Sequence, residues 1–530
     1  MSIYLLTAAI IIVACVIFNK ISSKLGIPTL LAFIFLGMFF GSDGIVKIHF
    51  DNYTFAEQVC TVALVFIMFY GGFGTNINEA KPVALKAVFL SSLGTFVTAG
   101  LVGLFCWWAL RFSVLESFLI GAVISSTDAA SVFSILRSKH LNLKYNTASL
   151  LEIESGSNDP FAYMLTVIIL SLMEGGVSGG DVAYMLFSQI AYGVVIGVIL
   201  AYAALKFMKK FSFSAEGFDA IFIVAVALLS FAIPSVVGGN GFLSAYIAGI
   251  ILGNHKLKNK KALVNFFDGA TGLMQMLLFF LLGLLAFPSQ LPSIALSALF
   301  IALFITFVAR PLAVSLLLSP FKSKLRQQLL VSWTGLRGAA SIVFAIMTVV
   351  SPAFTSNDIF HIVFFIVLFS ILIQGSLIPF FAKKLDMTDE NADVMKTFTD
   401  YTEELPISFI QFTIREGHEW ADKQIKDITL PPESILVLMI RDGEKIVPNG
   451  LTYLHEGDKM ILSGISSEKV EGVQLFERVV VEGDKFADRK IKDISFDDGL
   501  LITICRGDKV LIPRGNTTLR AKDILIINET

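Results

Sequence analysis

The chain has 530 residues, of which 55% are hydrophobic and 16% charged, and its formal net charge is −2. Soluble domains carry about 25% charged residues, so this composition excludes an ordinary soluble protein. It predicts a chain whose first three quarters are embedded in a lipid bilayer, and we expect no nucleic-acid partner.

Apolar runs of about 17 or more residues recur from Ile3 to Phe381, close to the length of about 20 that crosses a bilayer as a helix. We expect the first run to remain in the mature chain, because no basic residues precede it and no cleavage site follows. Together the runs predict about thirteen transmembrane helices, beginning near Ile3, Ile27, Phe55, Pro82, Leu115, Thr147, Val182, Gly217, Gly239, Asn265, Pro292, Gln328 and Asn357.

Basic residues are distributed unevenly between the predicted loops. With thirteen spans, one set of alternate loops holds 19 Lys and Arg residues, whereas the other set holds only Lys47 and Arg111. Loops rich in basic residues stay in the cytoplasm. We therefore predict a multi-pass protein of the bacterial inner membrane, with its N-terminus outside and everything after Lys384 in the cytoplasm.

Residues 386–530 are charged and alternate in polarity, which predicts short strands and hairpins. Their 18 basic and 28 acidic residues give −10, so the preceding part carries +8 of the total of −2. The stretch ADKQIKDI at 421–428 recurs as ADRKIKDI at 487–494. We predict a membrane domain at 1–385, a linker at 386–400, and two small α+β repeats at 401–466 and 467–530.

Each repeat resembles the RCK-C (TrkA-C) module that accompanies many potassium channels and transporters. The strand, the short helix through the repeated Ala-Asp-x-x-Ile-Lys-Asp-Ile stretch, and the strands leading to Pro448 or Pro513 carry this resemblance. It implies dimerisation and the binding of small ligands, cyclic di-AMP among them. The alternative is a tail that only aids folding or dimerisation.

The stretch LEIESGSNDPFAY places ionisable side chains inside a predicted span. Such groups are costly in lipid and commonly mark an ion pathway. Residues four apart share a helix face, so Glu154 and Asn158 lie on one side and Ser155 and Asp159 on the neighbouring side. We expect the first face to form a structural pair and the second to meet an ion.

Charged residues also occur inside three other predicted spans. Arg337, in WTGLRGAAS, is predicted to pair with Glu154, with Asn158 hydrogen-bonded alongside. Thr127 and Asp128 disfavour an unbroken helix, and freed carbonyls there could coordinate a cation. An ordinary helix with Asp128 facing water is the alternative. Arg310 could pair with Asp128, cap a broken helix, or extend toward the interface.

Three motifs together resemble the NhaP/NHE branch of the monovalent cation/proton antiporters over residues 1 to about 385. They are Thr127-Asp128, Glu154-Ser155 followed by Asn158-Asp159-Pro160, and Gly335-Leu336-Arg337-Gly338. The resemblance implies a homodimer with a dimerisation domain and a core domain, inverted repeats, and two discontinuous helices that cross at the ion site. It assigns Asp159 as the residue that takes either cation or proton, helped by Ser155, Thr127 and Asp128. The Asn158 that precedes Asp159 implies electroneutral exchange.

One feature departs from the family, in which some relatives place an acidic residue near the ion in the third span. Here that part of the span reads FIMFYGGFGTN and has no carboxylate. The cargo is therefore open, with potassium favoured over sodium because RCK-C modules accompany potassium transport. A channel with Gly-Phe-Gly as its filter and a sensor without transport are the alternatives. We expect no enzyme activity, no cofactor and no resident metal site.

Overall fold

The structure is a computed structural model, and the chain divides into two compact units, Met1–Tyr401 and Thr402–Thr530. Most of the predicted linker and the predicted boundary between the repeats lie outside the described residues. The residues described are 2–25, 29–139, 141–211, 217–255, 257, 260–389, 407–431, 434–441, 444–465, 475–480, 484, 486, 488–494, 499–506, 509–511, 513–521 and 523–529.

The first unit is built of helices, which satisfy backbone hydrogen bonds internally as lipid requires. Three helices continue into the next through a π-helical turn, at Leu90–Gly94, Ile305–Ala309 and Ser370–Gly375. The helices are α1 (Ser2–Leu25), α2 (Thr29–Phe40), α3 (Tyr53–Gly74), α4 (Ile77–Ala80), α5 (Ala84–Phe89), α6 (Thr95–Ala109), α7 (Val114–Val123), α8 (Ala129–Ser138), α9 (Thr147–Glu174), α10 (Gly179–Lys210), α11 (Phe218–Val236), α12 (Gly241–Gly253), α13 (Lys260–Leu285), α14 (Leu291–Phe304), α15 (Arg310–Leu318), α16 (Leu325–Trp333), α17 (Ala339–Val350), α18 (Ile359–Phe369) and α19 (Ser376–Lys384).

Within the described chain, seven helices are long and apolar enough to cross a membrane. Shorter apolar helices accompany them, including α7, α12 and α17. The first unit is therefore a multi-span helical membrane unit, whereas the count of thirteen spans and the inverted repeats stay predictions. The seven are Tyr53–Gly74, Ala84–Ala109, Gly179–Lys210, Phe218–Val236, Lys260–Leu285, Pro292–Leu318 and Ile359–Lys384.

Two pairs of short helices are the halves of interrupted helices. Residues 124–128 separate α7 from α8, and residues 334–338 separate α16 from α17. The two interruptions meet, because the backbone N–H of Asp128 donates to the carbonyl of Leu336 at 2.8 Å. The break predicted at Thr127 and Asp128 is therefore present, and it lies against a second break.

Glycines allow the helices around α3 to approach closely. A Cβ on Gly72 would lie 2.2 Å from the carbonyl oxygen of Tyr246 in α12, and one on Gly249 would lie 2.2 Å from that of Phe69 in α3. Close approach of this kind favours helix association in lipid. The Gly-Phe-Gly stretch at 72–74 ends this packed helix and does not form an extended filter.

The second unit contains two four-stranded antiparallel sheets with the same strand order. The first is ordered β1-β4-β2-β3 and the second β5-β8-β6-β7. A short 3₁₀ helix lies at the matched positions Ile425–Asp427 and Ile491–Asp493. The strands are β1 (Ile407–Thr413), β2 (Ser434–Arg441), β3 (Glu444–Ile446), β4 (Lys459–Ile465), β5 (Leu475–Val479), β6 (Gly499–Arg506), β7 (Lys509–Leu511) and β8 (Ile524–Glu529).

One ion pair is repeated in the two sheets. Arg441 donates to the Asp458 carboxylate at 2.8 and 2.7 Å, and Arg506 donates to Asp523 at 2.7 Å through both contacts. Both carboxylate side chains are 1% exposed. Arg441 and Asp458 therefore make the same contact in the first sheet as Arg506 and Asp523 make in the second.

Candidate ion-binding site

A cavity of about 490 Å³ lies beside the two interruptions and between α3, α9 and α13. Of the described residues that line it, four are carboxylates and none is basic. Such a cavity attracts cations, because like charges on low-dielectric walls concentrate counter-ions. The carboxylates are Asp128, Glu152, Asp159 and Asp268.

Asp159 lies in the middle of α9, and its side chain reaches this cavity. The hydroxyl of Ser126, in the first interruption, donates a hydrogen bond to its Oδ1 atom. The next residue, Pro160, has no N–H, so the carbonyl of Gly156 lacks its usual helical donor. Gly156 also lines the cavity. The arrangement brings carboxylate, hydroxyl and carbonyl oxygens together, which are the ligands that hard monovalent cations prefer.

Thr127 connects the interruption to α9 through a short hydrogen-bond chain. Its Oγ1 donates to Ser155 Oγ at 2.9 Å and accepts from Asn158 Nδ2 at 2.5 Å. Asn158 Nδ2 also lies 3.4 Å from Glu154 Oε1. The structure thus brings Thr127, Ser155 and Asn158 together with Asp159. Asn158 is fully buried, whereas Ser155 reaches the cavity.

Asp128 caps the N-terminus of α8. Its Oδ2 accepts from the Ser131 hydroxyl at 2.5 Å, and its Oδ1 accepts from the Ser131 N–H at 3.3 Å. A Cβ added to Gly338 would lie 2.1 Å from Asp128 Oδ2. The crossing of the two interruptions therefore requires glycine at this position, and the Asp128 carboxylate lies at the crossing and in the cavity wall.

The predicted pair between Glu154 and Arg337 is wrong, because Glu154 pairs with Arg310. Arg310 Nη1 and Nη2 donate to the two Glu154 oxygens, each at 2.9 Å. The Arg310 and Glu154 side chains are 3% and 1% exposed. Gly335 permits the approach, since a Cβ there would lie 2.8 Å from Arg310 Nε.

Arg337 instead binds the backbone of the first interruption. Its Nη1 donates to the carbonyls of Ile124 and Ser126 at 2.6 and 2.9 Å. The end of α7 leaves these carbonyls without helical donors and carries the negative end of the helix dipole. A guanidinium satisfies both, which is the physical reason that Arg337 does not pair with Glu154.

Among the cavity residues that the sequence prediction missed are Ser126, Glu152 and Asp268. Glu152 precedes Asp159 by seven positions and therefore lies on the same helix face, about 10.5 Å along the axis. That spacing could have identified it. Asp268 comes from α13, where its Oδ1 accepts from Tyr70 of α3 at 3.5 Å. Only the tertiary packing reveals this contact.

Comparisons with known proteins agree with this architecture. The transmembrane sodium/hydrogen exchanger family matches residues 8–384, and the TrkA-C domain matches residues 409–469 and 475–527. The solved sodium proton antiporter MjNhaP1 of Methanocaldococcus jannaschii has a similar fold, with a TM-score of 0.63 at 24% identity. That alignment covers 72% of this chain and 99% of MjNhaP1.

Curated relatives align over most of the chain. The K(+)/H(+) antiporter NhaP2 of Shewanella sp. (strain ANA-3) is 31% identical over 95% of this chain and 90% of its own length. The K(+)/H(+) antiporter NhaP of Alkalimonas amylolytica is 35% identical over 83% of this chain and 77% of its own length. The chain therefore belongs to the sodium/hydrogen exchanger family of multi-span membrane antiporters and carries a C-terminal TrkA-C region.

Proposed function

We propose that the protein exchanges a monovalent cation for a proton and that both compete for Asp159. One observation carries the proposal: Asp159 lies in an acidic cavity at the crossing of two interrupted helices, within reach of a hydroxyl donor. A carboxylate can hold a proton or contact a cation, and the one excludes the other. The cation is released when the proton binds, and the proton is released when the cation binds.

The neighbouring residues have separate roles in this proposal. Ser155 and Asp128 face the cavity and offer oxygen atoms to the ion. Thr127 orients Ser155 through a hydrogen bond of 2.9 Å, and Asn158 holds Thr127 through one of 2.5 Å. The pair of Glu154 with Arg310 fixes α9 against α15 and takes no part in exchange. With one exchangeable carboxylate carrying either a cation or a proton, the exchange is electroneutral.

The direction in which the site opens is also part of the proposal. In the predicted topology, α9 begins at the cytoplasmic face, and the cavity extends from Asp159 toward Glu152, nearer that end. A second cavity of about 290 Å³, beside Glu57 and Glu174, does not include Asp159 in its lining. We infer an inward-open state, from which alternating access carries the bound ion across the membrane.

Potassium is the preferred cargo in this proposal and sodium the second choice. The relatives named as K(+)/H(+) antiporters and the TrkA-C region support potassium. The part of α3 that lines the cavity contributes no carboxylate, but its Tyr70 donates a hydrogen bond to Asp268 at the cavity wall. Asp268 therefore supplies a negative charge opposite α9, and we assign it to the path by which the cation enters.

We further propose a homodimer in the bacterial inner membrane, with the N-terminus outside and the tail in the cytoplasm. The tail, divided into repeats at 401–466 and 467–530 after a linker at 386–400, regulates exchange. A nucleotide such as cyclic di-AMP is the ligand class to test, because the resemblance of the tail to RCK-C (TrkA-C) modules implies that it binds small ligands. A ligand regulates only if it binds one state of the transporter more tightly than the other.

The central test is cation-driven proton flux in proteoliposomes. A potassium or sodium gradient should move protons through the wild-type protein, and Asp159→Asn should abolish the flux because the exchangeable proton is lost. Asp51→Asn, an exposed loop carboxylate, is the matched control and should leave the flux intact. An imposed membrane potential should not change the rate if exchange is electroneutral. Proton flux retained by Asp159→Asn would contradict the assignment.

A further inference from the structure

The first residues after α19 are fastened to the loop that joins α8 to α9. Leu143 and Thr388 form an antiparallel β-bridge. The Lys144 N–H donates to the Met387 carbonyl at 2.8 Å, and the Asp389 N–H donates to the Asn142 carbonyl at 2.9 Å. We call residues 386–389, together with these contacts, the clasp.

Side chains hold the clasp from both sides. Asp386 accepts from Lys144 Nζ at 2.8 Å and from Arg326 Nη1 at 3.0 Å. The Met387 side chain is 0% exposed and belongs to the hydrophobic cluster that includes Leu143 and Leu330. Exposed ion pairs contribute little to stability, so the backbone pairing and the buried methionine provide most of the attachment.

The clasp lies where three helices of the ion site begin or end. The loop at 139–146 joins α8, which follows the first interruption, to α9, which carries Asp159. The start of α16 reaches the same loop, because Lys324 Nζ donates to Tyr145 Oη at 2.9 Å and Gln327 Nε2 donates to Thr147 Oγ1 at 3.1 Å. A displacement of the clasp therefore acts on α8, α9 and α16 together.

We propose that the clasp positions the ion site and couples it to the cytoplasmic tail. Residues 386–389 keep the cytoplasmic ends of α8, α9 and α16 in register, and a change in the tail reaches Asp159 through them. Asp386 and Met387 are positioning residues, because they contact neither the cavity nor the exchanged ions. The inference rests on the proposed antiport function and adds the route of its regulation.

The first experiment compares Asp386→Ala/Met387→Ala with Lys383→Ala/Lys384→Ala in the full-length protein. The control pair ends α19, just before the clasp, and both of its side chains are exposed. Potassium-driven proton flux should show an apparent KM raised about fivefold in the clasp variant, the lower end of typical coupling between sites. Its kcat should change far less, and the control should match the wild type. An unchanged KM would overturn the proposal.

An engineered disulfide distinguishes a positioning role of the clasp from a general loss of folding in the clasp variant. Leu143 and Thr388 are direct partners across an antiparallel bridge, a spacing of about 4.5 to 5.5 Å between Cα atoms that a disulfide can span. Leu143→Cys/Thr388→Cys, added to the clasp variant, should restore the wild-type KM when oxidised and lose it again on reduction. A KM that stays high after complete oxidation would contradict a positioning role.

A third variant tests the connection to the tail. A short Gly-Ser insertion after Asp389 leaves the clasp intact but lengthens the chain between the clasp and the tail, so it should shift the KM in the same direction. Combined with the clasp variant it should add nothing, because both break one route. A wild-type KM in the insertion variant, or additive shifts, would overturn the coupling. Loss of all flux in the wild type would instead refute the antiport function.

Discussion

The pair of Arg310 and Glu154 gives the sharpest prediction about stability. Both side chains are almost fully buried, and two hydrogen bonds of 2.9 Å join them. Removing one partner of such a pair leaves a buried charge and costs about 3 to 5 kcal/mol. Replacing both partners by apolar residues of similar volume is often close to neutral. We therefore expect Arg310→Met to be much less stable than Arg310→Met/Glu154→Met.

A double-mutant cycle measures this difference. The wild type, Arg310→Met, Glu154→Met and the double variant are heated in detergent, and the loss of the monodisperse species gives an apparent Tm for each. Because unfolding of a large membrane protein is commonly irreversible, the order of the four Tm values carries the test. The double variant should unfold at a higher temperature than Arg310→Met, so the Tm losses of the two single variants should not add.

A parallel cycle with Arg337 supplies the control. Arg337 binds the carbonyls of Ile124 and Ser126, so Arg337→Met should be destabilising whether or not Glu154 is present. The Tm losses of Arg337→Met and Glu154→Met should be close to additive, because the two side chains share no hydrogen bond. A coupling of Glu154 to Arg337 that equals or exceeds its coupling to Arg310 would refute the assignment of partners.

Two further outcomes are expected. Gly338→Ala should lower cation/proton exchange at least about tenfold, because its Cβ would lie 2.1 Å from Asp128 Oδ2 and overpack the crossing. Gly100→Ala is the control and should leave exchange unchanged, because no atom lies within 4 Å of its Cβ. Equal proton flux in the two variants would contradict the crossing geometry. Hydrogen bonding to Arg506 lowers the pKa of Asp523 from its ordinary value of 3.8. The pair therefore stabilises its sheet above that pH, and this stabilisation is lost as the pH falls through the folded-state pKa of Asp523. Arg506→Ala should therefore speed amide hydrogen exchange in β6 and β8 at pH 7 and have less effect at pH 3; an equal effect at both would contradict this account.

Local spacing along the chain predicted much of the arrangement of residues at the candidate ion site. The four-residue period separated the face of Glu154 and Asn158 from that of Ser155 and Asp159, and two adjacent polar residues predicted the first interruption. These inferences require only the periodicity of an α-helix and the free-energy cost of placing polar groups in lipid. The antiporter family and the TrkA-C region were likewise recognisable from short motifs, and the comparisons confirm both.

Partners distant in sequence could not be predicted in the same way. Arg337 was chosen for Glu154 because it was the arginine in the middle of a late span, but the free carbonyls at the end of α7 bind it instead. Arg310 follows a π-helical turn at Ile305–Ala309. This turn changes the face of the helix on which Arg310 lies, and no sequence pattern predicts the turn. Asp268 enters the cavity only because α13 packs near α3.

The contact of Arg337 with the end of α7 has a consequence for where the transported cation binds. In discontinuous helices, freed carbonyls at a half-helix end are themselves places where a cation can bind. Here an immobile guanidinium already occupies the carbonyls of Ile124 and Ser126. This pair of carbonyls therefore already contacts a positive charge that belongs to the protein, and in the proposed mechanism the transported cation binds at Asp159 instead.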